Sequence, residues 1–357
     1  MRCKFPMIRV ALIGYGYAGR TFHAPLVRAT PGLELVAVSS SRPDRVSADL
    51  PGVDVVPSAL DLFTMSSVDL IVIATPPDSH APLAAAALRA GKHVVVEKPI
   101  AATLQDARGL ASLAESAQRI LAVFHSRRWD GDFLALADLL SRGVLGDVTH
   151  VESHFDRYRP HLRDRWRERP GAGAGLWHDL GPHLVDQALQ LFGLPDRVIA
   201  SQAAQREGSQ VDDWVHVVLE YNRLRVILHA SLLNAAPAPR FAVHGRDASW
   251  IKSGVDAQER QMVTALTPGD GAPAEAEHAV LVEGASGART QVPLPPGDYP
   301  EFYRLVRDAI DGAGRSPVPP EQAVAVAAVI DAAIRSSAEG RALTLPLTET
   351  ERLEFSR

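Results

Sequence analysis

At 357 residues the chain exceeds what one hydrophobic core usually supports, so two domains are expected. Hydrophobic residues at 46% and charged residues at 22% give the balance of an ordinary soluble globular protein. A formal net charge of −5 offers no long-range attraction to nucleic acid or an anionic membrane, and no apolar run reaches the length of a bilayer span. The single cysteine, Cys3, cannot form an intramolecular disulfide, which fits a reducing, cytoplasmic compartment. Arg2 and Lys4, ahead of an apolar run at 8–13, faintly imitate a secretory signal. That run passes into Gly14-Tyr15-Gly16 with no small-residue cleavage site, so no signal peptide is expected.

The first 125 residues alternate short apolar runs with longer segments of helical period, the pattern of βαβ units on a parallel sheet. Strands are expected at 8–13, 33–39, 53–56, 68–74, 93–97 and 120–125, with helices at 18–29, 58–65, 79–90 and 104–118. Gly91 is placed to end the third of these helices and Thr103 to cap the fourth. The pattern then changes. After a helix near 132–141, longer strands are expected at 148–158, 198–204, 214–221, 226–232 and 241–251, interrupted by one strong helix at 178–192. Residues 267–298, rich in Gly, Ala, Pro and Glu, read as a long, partly mobile hairpin or loop. Closing helices at 301–311 and 321–337 flank a break at Pro317, Pro319 and Pro320. The fold class is therefore α/β: a doubly wound parallel sheet over 1–125, then an α+β domain over 126–357 on a mostly antiparallel open sheet.

Gly14-Tyr15-Gly16-Tyr17-Ala18-Gly19 follows the first strand and opens a helix, the context in which this spacing binds a dinucleotide. Gly14 allows the tight turn, Gly16 lets backbone approach a pyrophosphate, and Gly19 permits close helix–strand packing. The helix amino terminus offers free N–H groups and a positive dipole end to the phosphates. An NAD site expects an acid at the end of the second strand; here Ser39-Ser40-Ser41-Arg42 stands there instead. Serine hydroxyls and a guanidinium suit a 2′-phosphate, so NADP is favoured over NAD. Asp44 falls at the start of the next helix, in a capping position. Thr75 and Pro76 follow the fourth strand, where a loop touches ribose or nicotinamide. His80, on the helix after them, reads first as structural and second as a cofactor contact.

His93 to Pro99, HVVVEKP, is a strand buried on both faces that ends in Glu97 and Lys98. Ligands of an open parallel sheet bind beyond the carboxyl ends of its strands, so Lys98 is placed to reach them. A lysine can take the proton of an alcohol only if burial and a neighbouring cation make its ammonium more acidic. Downstream, Asp179 and His183 are four residues apart and share one face at the start of a helix. There the dipole favours the acid, which can orient the imidazole toward a substrate hydroxyl. Taken alone, the pair reads first as a helix cap and a satisfied histidine. No metal site is expected, since His178 and His183 are five apart and no further Cys/His cluster is placed to complete a coordination shell.

Together the Gly14–Gly19 loop, Glu97-Lys98-Pro99 and Asp179-Leu180-Gly181-Pro182-His183 resemble the Gfo/Idh/MocA family of nicotinamide-dependent oxidoreductases, in order and spacing over essentially the whole chain. The resemblance implies a Rossmann domain that binds the nicotinamide cofactor and catalytic roles for Lys98, Asp179 and His183. It also implies a cis bond before Pro99, and a homodimer or homotetramer built on the open face of the second sheet. The stretches GYGYAGRTFHAPL (14–26) and FHSRRWDGDF (124–133) look like the branch that contains NADP-dependent scyllo-inositol dehydrogenases. Pro25, an oddity inside a helix, belongs to that wording. The implied substrate is a small polyol or sugar, without nucleic acid or membrane.

Arg157, Arg159, Arg163, Arg165, Arg167 and Arg169 crowd a region with Tyr158, His161 and Trp166. Asp156, Asp164 and Glu168 dilute that charge, which argues against nucleic-acid binding. Two readings stay open: a solvated, salt-bridged loop, or a lid whose guanidiniums hydrogen-bond a substrate. Arg127, Arg157, Trp166 and His183 are the substrate-binding candidates, and Arg128 and Trp129 could line the same cleft. The leading expectation is hydride transfer between a ring carbinol and NADP. The alternatives are a non-catalytic nicotinamide sensor of the same fold and a reductase of another carbonyl or unsaturated substrate.

Overall fold

The computed structural model describes residues 7–264 and 277–356. These fall into two compact units, one built from 7–129, 257–264 and 298–324, the other from 130–256, 277–297 and 325–356.

The first unit opens with β1 (Ile8–Ile13), α1 (Ala24–Ala29), β2 (Leu33–Ser39), α2 (Pro43–Asp49), β3 (Asp54–Val56), α3 (Ala59–Thr64), β4 (Leu70–Ile73), α4 (His80–Arg89), β5 (His93–Val96), α5 (Leu104–Ala117) and β6 (Leu121–Val123). All six strands are parallel, in the order β3-β2-β1-β4-β5-β6. This is the doubly wound Rossmann order, with ligand crevices beyond the carboxyl ends. β4 reads LIVI and every residue is buried, as a strand covered on both faces requires. Ser58 and Thr103 cap α3 and α5 by accepting Leu60 and Asp106 N–H. Gly91, at φ +75°, follows α4 in the left-handed conformation that ends a helix.

The helix expected over 18–29 is two segments, a π-helical turn over Gly19–His23 and then α1. Pro25 explains the change, because it has no N–H to continue an α-helical ladder. Ala24 N–H donates instead to Gly19 O, five residues back.

The second unit contains α6 (Gly131–Ser141), β7 (Val148–Asp156), α7 (Leu176–Phe192), β8 (Arg197–Ala203), β9 (Trp214–Glu220), β10 (Arg225–Ser231), β11 (Phe241–Gly245) and β12 (Ala248–Lys252). After α8 (Gln258–Thr264), which belongs to the first unit, the chain adds β13 (His278–Glu283) and β14 (Arg289–Pro293). The eight strands order as β14-β13-β12-β11-β7-β10-β9-β8, and every pairing is antiparallel except β10 with β7. α9 (Tyr299–Ile310) lies in the first unit, the unit boundary falls inside α10 (Pro320–Glu339), and α11 (Glu349–Phe355) ends the second unit. β9 alternates buried Val215, Val217 and Leu219 with half-buried residues, so one face joins the core with α7 and the other turns away.

Two details differ from expectation. The single strand at 241–251 is a hairpin, β11–β12, that reverses at Arg246 and Asp247, whose N–H groups donate to Asp147 O and Leu145 O, with Gly245 packed on the same Leu145 carbonyl. α8 and α11 had no expectation at all. The segment 267–298, expected as a hairpin or loop, forms the β13–β14 hairpin over 278–293, and its residues 267–276 lie outside the described residues.

Candidate active site

The carboxyl end of β1 runs into Gly14, whose φ of +96° only glycine adopts without strain. A Cβ there would stand 2.6 Å from Ala74 O, at the exit of β4. Gly19 packs onto the Gly14 carbonyl, leaving no room for a Cβ, whereas a Cβ on Gly16 would meet nothing within 4 Å. One glycine makes the turn, one closes the helix onto it, and one leaves space in front.

That space is a cleft of about 720 Å³. It gathers Gly14, Gly16 and Tyr17 of the loop, Ser40, Ser41 and Arg42 beyond β2, and Thr75 and Pro76 beyond β4. Arg45 of α2, Arg20 and Thr21 complete its polar lining, and no carboxylate is among the lining residues. Arg20 is held by Asp49 at 2.6 Å. Among the described residues no ion pair engages Arg42 or Arg45, and both are exposed. A dinucleotide fits this set: open backbone at Gly16 for the pyrophosphate, and two guanidiniums with two serines where the second ribose of the fold sits. Arg45 lacked an expectation, though it lies in the first turn of α2, three residues after the N-cap Arg42.

Gly19, His80, Glu97 and Lys98 are not among the cleft-lining residues. Gly19 supports the loop from behind. His80 is buried, with Nδ1 2.8 Å from Pro99 O and Nε2 2.9 Å from Thr75 O, so its ring ties the β4 exit to the β5 exit. Burial holds its pKa below the ordinary value. The bond between Lys98 and Pro99 is cis.

Glu97 faces inward. Its Oε2 accepts the Lys98 backbone N–H at 3.0 Å and its Oε1 lies 3.1 Å from His23 Nε2. The other His23 nitrogen lies 2.6 Å from the Tyr303 hydroxyl, and the ring packs 4.4 Å from that of Phe124. Burial alone would raise the Glu97 carboxyl, but the His23 hydrogen bond and the nearby Lys98 charge bring it below its usual range. The wholly buried Tyr303 hydroxyl is raised by burial and by Glu97. Glu97 is thus a positioning residue for the Lys98 backbone, in a chain that starts at the π-turn and ends on α9.

Arg127, expected at the substrate, lies 2.6 Å from Glu259 of α8, whose other oxygen accepts the Tyr17 hydroxyl at 3.0 Å. Arg128 donates to Pro317 O and Gln322 Oε1. In the second unit, Asp179 occupies the first turn of α7 with Arg167 Nε 3.2 Å away. His183 lies one turn on, its ring centroid 6.3 Å from that of Phe155. His178 Nδ1 lies 3.0 Å from Ala174 O, a structural role. Arg157 joins its backbone N–H to Ser231 O at 2.8 Å, and Trp166 is partly exposed under the Arg167 guanidinium. Buried Arg206 holds this loop, 2.9 Å from Asp213 and 3.1 Å from Glu168, and no local sequence pattern announced it.

The family profile described as "Oxidoreductase family, NAD-binding Rossmann fold" (Gfo/Idh/MocA) matches residues 8–125, and its companion, "Oxidoreductase family, C-terminal alpha/beta domain", matches 137–346. The chain belongs to the Gfo/Idh/MocA oxidoreductase family. This family member is 50% identical to the uncharacterized oxidoreductase YdgJ of Escherichia coli (strain K12), over 95% of this chain and 99% of that one. It is 35% identical to the scyllo-inositol 2-dehydrogenase (NADP(+)) IolW of Bacillus subtilis (strain 168), over 96% and 98%. A crystal structure from Klebsiella pneumoniae superposes with a TM-score of 0.91 at 47% identity, covering 98% of both chains. As a Gfo/Idh/MocA protein the chain is an oxidoreductase whose Rossmann fold binds a nicotinamide dinucleotide. Among the described residues no helix is long and apolar enough to cross a membrane.

Proposed function

We propose that this oxidoreductase is an NADP-preferring dehydrogenase of a ring carbinol in a small polyol or sugar of the inositol kind. The observation that carries the cofactor preference is the β2 end of the cleft, where Ser40, Ser41, Arg42 and Arg45 stand and no carboxylate does. A 2′-phosphate gains charge-assisted hydrogen bonds there, and an acid that would favour a free 2′-hydroxyl is missing. The 35% identity to an NADP-dependent scyllo-inositol dehydrogenase supports the polyol class.

In this reading Gly14, Gly16 and Tyr17 hold the pyrophosphate, and Thr75 and Pro76 border the nicotinamide side. The bound nicotinamide supplies the hydride acceptor. Lys98 takes or relays the hydroxyl proton, His183 positions the oxygen, and Asp179 orients His183. Arg127, Arg157 and Trp166 contribute to substrate selection. The protein works in the cytoplasm as a homodimer or homotetramer.

The test is a panel of inositols, aldoses and polyols with NADP and NAD in parallel, following the reduced cofactor. Turnover on at least one cyclic polyol or sugar is expected, and Lys98→Ala should lower it by about 10²- to 10⁴-fold, the span of general acid–base catalysis, with cofactor binding retained. Tight cofactor binding without turnover on any alcohol would favour a sensor instead.

A further inference from the structure

The face of the eight-stranded sheet turned away from α7 carries an unusual row. Along β7, His150, Glu152, His154 and Asp156 alternate with the core residues Val151 and Phe155, so all four project to that opposite face. The strand register then sets His154 beside His229 of β10, and His229 beside His216 of β9. No local spacing in the sequence reveals this grouping, because the pairing spans three strands.

We propose that His154, Asp156 and His229 bind one divalent first-row transition ion of the zinc class. Their ligand atoms all lie within 4.8 Å of one another. His154 Nδ1 is 3.6 Å from Asp156 Oδ2, and His229 Nε2 is 3.6 Å from Asp156 Oδ1. Bonds of about 2.0–2.2 Å from nitrogen and oxygen to a tetrahedral zinc need such atoms only slightly closer, which side-chain rotation supplies. Two imidazoles and one carboxylate are a donor set for zinc-like ions, whereas Mg²⁺ and Ca²⁺ take oxygen shells.

Surrounding hydrogen bonds prepare the donors. Glu152 Oε2 lies 2.9 Å from His154 Nε2, so that nitrogen carries the proton and Nδ1 keeps its lone pair toward Asp156. His229 Nδ1 faces His216 Nδ1 at 3.4 Å, which leaves its Nε2 toward the same carboxylate. Asp156 Oδ2 accepts Ala238 N–H at 3.2 Å, while among the described residues buried Oδ1 and His154 Nδ1 have no hydrogen-bond partner. A carboxylate–histidine arm, a second histidine with its far nitrogen engaged, and a buried carboxylate with an oxygen to spare make a coordination site with one position left for water.

The experiment uses the untagged full chain, stripped with a chelator and dialysed. Zn²⁺ is titrated calorimetrically and Co²⁺ by visible d–d absorption. One ion per chain is expected, with the intense Co²⁺ bands of a low-coordinate nitrogen–oxygen site. His229→Ala and His154→Gln should each weaken binding at least about tenfold, and Glu152→Gln, which removes only the outer carboxylate, by about 10- to 100-fold. His278→Ala and His183→Ala should leave it unchanged. The wild-type Co²⁺ titration needs no variant, so the absence of saturable one-to-one binding overturns the proposal. So does undiminished binding in folded His229→Ala, or loss of binding in His183→Ala.

Discussion

Gly19 shows how much a single missing Cβ decides. Its backbone rests on the Gly14 carbonyl, and that contact fixes where the glycine loop faces the cleft. Gly19→Ala forces two backbone segments apart, so a loss of about 1–3 kcal/mol in stability and a weaker dinucleotide complex are expected, read by urea unfolding and cofactor titration. All three loop glycines were legible in the sequence because their roles are local. Arg45 and Glu259 were not. The first needs the geometry of α2, and the second pairs with Arg127 from a helix 132 residues away. His23 was hidden for the same reason: the HAPL wording stood out, but the hydrogen bonds that explain it run to Glu97 and to Tyr303, 280 residues on. Glu97→Gln should keep its contact with the Lys98 backbone and lose its charge toward His23. Because the folded Glu97 pKa is depressed, its contribution is present above the ordinary carboxylate range and lost as pH falls through the folded value. The variant should therefore be less stable near neutral pH, with the gap from the parent closing in acid; a gap that stays constant with pH contradicts the account.

The strand β5 carries its own pH signature. His93 begins it, and its Nδ1 accepts the N–H of Ile120, the residue just before β6, at 3.0 Å. Burial and then the Arg119 charge push its pKa down to about 4. An unfolded histidine titrates near about 6.5, so between there and about 4 the unfolded chain binds a proton that the folded strand refuses. Stability should fall across that window as pH drops. His93→Gln should flatten that part of the urea-midpoint profile, and a variant as acid-sensitive as the parent contradicts the assignment. At this scale the parallel strands were legible because burial on both faces writes a continuous apolar run, as in LIVI of β4. The first helix was misread because Pro25 breaks the α-helical ladder without ending the helix. The β11–β12 hairpin was not legible because its turn is only Arg246 and Asp247, too short to break the alternating apolar pattern of 241–251.

Across the whole molecule, two sheets with separate cores divide the labour. Trp177 is wholly buried in the second core, its indole N–H donating to Ile330 O at 3.3 Å, and Gly181 leaves room for its ring. Trp177→Ala should cost about 3–5 kcal/mol in that unit while leaving dinucleotide affinity intact, measured by thermal unfolding with and without cofactor. The two-domain plan was legible from the switch between βαβ rhythm and alternating strands. The histidine row on the second sheet was not, since register between distant strands brings it together. The most direct test of the cofactor reading is calorimetric titration of NADP and NAD into the wild-type chain and into Arg42→Ala/Arg45→Ala. Tighter binding of NADP is expected, with a loss of about tenfold or more for NADP alone when the two guanidiniums are removed, as charge-assisted hydrogen bonds of about 1.5–3 kcal/mol imply. Equal or tighter binding of NAD, or an equal loss for both cofactors, would contradict it.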